Sequence, residues 1–125
     1  MTSVMLLNKY EDKVEFTSLF GEGVAVWCGG PPQMDESYHV EFEVNDIFEW
    51  GVNIEGVNES VPAIKVIGDN VLFVAEVLSY ENDGVLTVSL GGEVIFLDVG
   101  FLLGEERYVS FCTKINNVFL YPVSL

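Results

Sequence analysis

Apolar and polar residues alternate along most of this chain with a period of two, the spacing that puts successive side chains on opposite faces of a β-strand. Val14-Glu15-Phe16-Thr17 begins the pattern, and Gly21-Glu22-Gly23 turns into Val24-Ala25-Val26-Trp27-Cys28. Gly29-Gly30-Pro31-Pro32 interrupts it, because glycine admits unusual dihedrals and proline donates no ladder hydrogen bond. Tyr38 to Val44 and Phe48 to Ile54 alternate cleanly, and a polar loop from Glu55 to Ser60 leads to Ala63–Ile67. Gly68-Asp69-Asn70 is a turn before a long strand from Val71 to Tyr80, and Glu81-Asn82-Asp83-Gly84 carries hairpin chemistry into Val85–Leu90. Val94 to Val99, Tyr108 to Thr113 and Val118 to Val123 complete the set, while Phe101 to Arg107 has room for one helical turn.

This reading predicts eight to ten short strands and little helix. Such even spacing is that of an all-β, antiparallel β-sandwich or small barrel, with the oligonucleotide-binding (OB) type among the compatible closures. No linker, low-complexity tract or internal repeat divides the chain, so residues 1–125 read as one domain.

One segment predicts a specific register. If Asn45-Asp46-Ile47 forms a three-residue loop, Val44 faces Phe48, Phe42 faces Trp50, Val40 faces Val52 and Tyr38 faces Ile54. All apolar residues then share one buried face, Phe42 and Trp50 among them. The opposite face carries His39, Glu41, Glu43, Glu49 and Glu55, with Asp46 at the tip. Glu43 would lie directly across from Glu49, an unfavourable pairing on the order of 1 kcal/mol at exposed sites.

Charge sharpens that expectation. The chain has 20 acidic and five basic residues, a formal charge of −15 on 13.9 kDa. From Val14 to Ile64, 51 residues hold ten carboxylates and no Lys or Arg. Half of the residues are hydrophobic, so the carboxylates decorate a folded surface rather than a disordered tail. They repel one another, less so in salt, and they repel nucleic acid, whose binding proteins neutralise phosphates with Lys and Arg. Direct nucleic-acid binding is therefore not expected, and a basic protein partner is.

Familiar reaction chemistry is not legible. His39 is the only histidine, and Cys28 and Cys112 stand far apart, so neither a histidine-rich zinc site nor a zinc motif is formed. The two cysteines read as buried, reduced thiols of a cytoplasmic protein. The EF-hand pattern is absent, paired acids for glycoside hydrolysis lack a visible cleft, and neither a phosphate loop nor a nucleophile elbow occurs. Trp27 and Trp50 read as core. The first ten residues lack a basic leader and a long apolar run, so they do not read as a signal peptide, and no stretch has the length of a membrane span. No catalytic residue, cofactor or metal is expected.

Gly23-Val24-Ala25-Val26-Trp27-Cys28-Gly29-Gly30-Pro31-Pro32, Tyr38-His39-Val40-Glu41-Phe42-Glu43 and Glu49-Trp50 together resemble the immunity proteins of bacterial contact-dependent and other polymorphic toxin systems. The resemblance covers about the first half of the chain. It implies a non-enzymatic, cytoplasmic protein that binds a cognate toxin domain, often a basic nuclease, and covers its active site. The resemblance assigns no individual residue; the polar face of the predicted hairpin supplies those expected at a partner interface, His39, Glu41, Glu43, Asp46, Glu49 and Glu55. The alternatives from other classes are a small-molecule-binding or enzymatic β-barrel and a structural subunit of a larger assembly.

Overall fold

A computed structural model describes residues 2–58, 61–81, 83–101 and 106–124. The described residues form eleven strands and one 3-10 turn: β1 (Thr2–Tyr10), β2 (Lys13–Ser18), β3 (Gly21–Trp27), β4 (Ser37–Val44), β5 (Ile54–Val57), β6 (Ala63–Ile67), β7 (Asn70–Tyr80), β8 (Val85–Leu90), β9 (Glu93–Asp98), β10 (Tyr108–Lys114), the turn Ile115–Asn117, and β11 (Val118–Pro122). The fold is all-β. The suggested turn at Phe101 to Arg107 falls largely on residues 102–105, outside the described residues.

Five strands close into a barrel in the order β1-β2-β3-β11-β4, with β4 returning to β1. Every pair is antiparallel except β3 and β11, which run parallel with Phe119 opposite Val26. Counted within the barrel, the order is 1-2-3-5-4 with the third and fifth strands parallel, the order of an OB-type barrel. The remaining six strands form a second sheet, β5-β10-β7-β8-β9 with β6 also on β7, inserted between the fourth and fifth barrel strands.

The two sheets share one core. A chain of five phenyl rings crosses from one to the other. Phe16 and Phe42 of the barrel meet edge-to-face at 5.8 Å, and Phe42 meets Phe73 at 6.4 Å. Phe73 stacks on Phe111 at 5.0 Å, and Phe111 meets Phe48 at 5.5 Å. These are the offset and T-shaped arrangements that the ring quadrupole favours. Val4, Leu6, Val14, Ala25, Val40, Val118 and Leu120 fill the barrel interior, so its bore is packed. Backbone bonds seal the seam on two sides: Ile64 N–H donates to Phe20 O at 2.8 Å, and Phe48 N–H donates to Asp98 O at 2.8 Å.

The predicted 38–54 hairpin does not form. Alternation in β4 is as expected, with Val40, Phe42 and Val44 buried and His39, Glu41 and Glu43 exposed. Its partners, however, are β1 and β11: Val44 pairs with Val118, and Phe42 with Leu120. The chain after Val44 leaves the barrel. Asn53 closes a turn there, its Oδ1 accepting from Glu49 N–H at 2.7 Å and its Nδ2 donating to Ile47 O at 3.1 Å. Val52, expected on the buried face, is exposed. Trp50 is half-buried, its indole N–H donating to Phe101 O at 2.7 Å. One-face burial specifies which side of β4 points inward but not which strand lies along its edge, and β11, far along the chain from it, satisfies it as well as a neighbour.

Candidate acidic interface

β4 positions the centre of the acidic array. Both flanks of the strand are engaged, by β1 at residues 37–40 and by β11 at residues 40–44, so its outward side chains are held on a fixed frame. His39, Glu41 and Glu43 project from alternate positions, about 6.6 Å apart along the strand. Across from them β11 presents Tyr121 opposite Glu41, and Phe119 opposite Glu43. The expected confrontation of Glu43 with Glu49 is therefore absent; Glu43 faces an aromatic residue.

The Tyr121 hydroxyl reports the local field. Its pKa is pushed up to about 12, first by a hydrogen bond with the Glu43 carboxylate, then by burial and by the charge of that same carboxylate. An anion beside a phenol disfavours the phenolate, because two negative charges would share one site.

The other predicted residues separate from this row. Asp46 is half-buried and acts as a latch: Oδ1 accepts from Ile47 N–H at 2.8 Å, and Oδ2 accepts from the buried Thr113 hydroxyl at 2.7 Å. Thr113 Oγ1 in turn accepts from Asn117 Nδ2 at 3.1 Å. Glu49 is exposed on the closed turn, and Glu55 is exposed on β5 opposite Ser110. The structure thus gathers His39, Glu41 and Glu43, and distributes Asp46, Glu49 and Glu55 along the path from barrel to second sheet. Among the described residues the one ion pair is Lys13–Asp12 at 3.2 Å, so no described cation neutralises the β4 row.

One carboxylate behaves differently. Glu93 opens β9, points inward and is 4% exposed. Its Oε1 accepts from Thr2 Oγ1 at 3.0 Å, and its Oε2 accepts from Phe42 N–H at 3.2 Å. The second bond reaches β4 just past the end of its pairing with β1, so a side chain from the second sheet completes the ladder. In the sequence Gly91-Gly92 masks Glu93 as part of a turn, and the signal for its burial is its in-phase position with Ile95 and Leu97.

The remaining candidates are modest. Cys28 and Cys112 are free and half-buried rather than fully buried, and burial pushes the Cys112 thiol up. Trp27 is buried as expected, its indole N–H donating to Gly30 O at 2.8 Å and its ring meeting Tyr38 at 5.1 Å. Among the described residues no group of three His, Cys, Asp or Glu side chains converges as a metal site, and no helix is long and apolar enough to cross a membrane. Comparison with known proteins finds no matching family model, curated protein or solved structure.

Proposed function

We propose that this chain is a non-enzymatic acidic binding protein that acts in the cytoplasm and neutralises a cognate basic toxin, nuclease-like in its substrate cleft, by covering that cleft. The observation that carries this reading is the row Glu41–Glu43 on β4: paired along β11, outward-facing, and without a described cationic partner. A cleft shaped to hold phosphates carries positive potential, and a fixed carboxylate row is complementary to it. His39 continues the row along β4, Glu49 and Glu55 extend the negative surface towards the second sheet, and Asp46 ties the segment after β4 to β10 through Thr113.

The test begins with wild-type protein as bait in the native host, which identifies the basic partner. Replacing Glu41 and Glu43 together with Gln then leaves the fold intact and weakens binding, with a defect that shrinks as salt rises. A double variant that holds the partner as tightly as wild type removes this row from the interface.

A second reading has its own observation. Two adjoining clefts of about 500 and 400 Å³ share Tyr10, Asp69 and Ile115 at the β1–β2 tip, in the size range of small-molecule sites. Lys13 and Lys114 line the larger one, Phe16 and Val24 the smaller. Failure to find any basic partner would favour a ligand-binding role centred there.

A further inference from the structure

β9 is an edge strand whose inward residues Ile95 and Leu97 are buried, so its period of two forces Phe96 outward. Phe96 is 64% exposed. Its cross-strand neighbours on β8 are Thr87, opposite Phe96 itself, and Ser89, opposite Val94, which are too short to cover a phenyl ring. Two grooves lie between β9 and the barrel, and Phe96 is the ridge that separates them. One, of about 350 Å³, holds Glu41, Val94 and Phe96. The other, of about 480 Å³, holds Asp46, Ile47, Asp98 and Phe96. Ile47 is 74% exposed and Val94 43%. No Lys or Arg lines either groove.

We propose that this ridge, an exposed phenyl ring between two carboxylate-lined grooves, docks arginine side chains of a basic protein partner, one on either side of Phe96. The inference rests on the basic-partner reading above and supplies the apolar anchor that reading lacks. A guanidinium is planar and weakly hydrated; it stacks on an aromatic face while its N–H fork engages a carboxylate. Glu41 lines one groove and Asp98 the other, beside Asp46, whose oxygens already accept from Ile47 N–H and Thr113 Oγ1, so each groove holds a carboxylate close to the ring that lines both. A lysine ammonium matches the charge but not the stacking plane. A second copy of this chain, a phosphate backbone or an anionic membrane would bring negative charge to the same carboxylates and is disfavoured.

The test uses the full chain, isotope-labelled for NMR, titrated with two synthetic peptides of equal charge, one built on Arg-Leu-Arg and one on Lys-Leu-Lys. The expected result is that the Arg peptide shifts the amides of residues 94–98 and 46–47 and binds about threefold or more tighter than the Lys peptide. Phe96→Ala should weaken the Arg peptide about fivefold or more, and Phe96→Trp should retain it. Because the ring is largely exposed, the Ala variant should keep the wild-type urea midpoint, which separates a lost contact from a lost fold. Equal binding of the two peptides overturns the arginine assignment. Unchanged affinity in Phe96→Ala, with shifts centred on Glu43 instead, overturns the ridge while leaving the basic-partner reading standing. No binding of either peptide in dilute buffer overturns both.

Discussion

Glu93 and Tyr121 are the residues at which charge and structure meet most closely. Glu93 accepts from a hydroxyl of β1 and an amide of β4 while being almost fully buried, so removing its carboxylate leaves both donors without that acceptor. Buried donors deprived of a partner cost about 1–3 kcal/mol each. Glu93→Ala is therefore expected to lower unfolding free energy by roughly 2 kcal/mol or more, read as a lower urea midpoint, with Glu93→Gln losing less because its amide oxygen still accepts. Tyr121 supplies a pH signature. Its folded-state pKa, about 12, lies above the ordinary value near 10, so the stability linked to it is fully present below pH 10 and lost as pH rises towards 12. In a tyrosinate titration followed by NMR, Tyr121 should ionise late, and Glu43→Gln should bring it back towards 10. A Tyr121 that titrates unchanged in that variant would mean Glu43 is not the cause. Neither feature was legible beforehand, since sequence alternation shows that a position faces inward but not that a carboxylate there finds donors from strands 51 and 91 residues away.

Strand by strand, the period of two was informative about faces and silent about neighbours. The alternating segments of β2, β3, β4 and β6–β11 are strands in the structure, and the inward positions of β4 are those the pattern assigns. β1 was missed because its exposed positions Met5 and Leu7 are apolar and a bulge between Leu6 and Asn8 breaks its phase. The segment 48–53 was misread as strand because Phe48, Trp50 and Val52 alternate by accident of a turn that Asn53 closes. The parallel β3–β11 pair joins residues more than ninety positions apart, beyond any local pattern. Where the barrel meets the second sheet, Gly21 carries the junction. Its φ is +130°, and a Cβ there would collide with the backbone carbonyl of Ile64, whose amide is held by Phe20 O. Gly21→Ala is expected to destabilise by roughly 2 kcal/mol or more, since neither the dihedral nor a hydrogen-bonded backbone yields cheaply. A variant with the wild-type urea midpoint would show that the seam is looser than this geometry requires.

At the scale of the whole molecule, a closed five-stranded barrel with a six-stranded second sheet carries a formal charge of −15; Glu41, Glu43, Glu49 and Glu55 face water and repel one another there, whereas Glu93 is buried. The acidic excess was plain in the sequence; its distribution was not, because the predicted hairpin put on one face what the fold spreads from β4 to β5. Long-range attraction from such a surface acts mainly on encounter with a partner, whereas desolvated central contacts act on its release. The most direct test is the association rate constant with the captured basic partner, measured by stopped flow across a series of sodium chloride concentrations. The expected rate falls by about tenfold or more as salt rises past physiological strength, where screening sets in within about 8 Å, with a much smaller change in dissociation rate. An association rate indifferent to salt would contradict it.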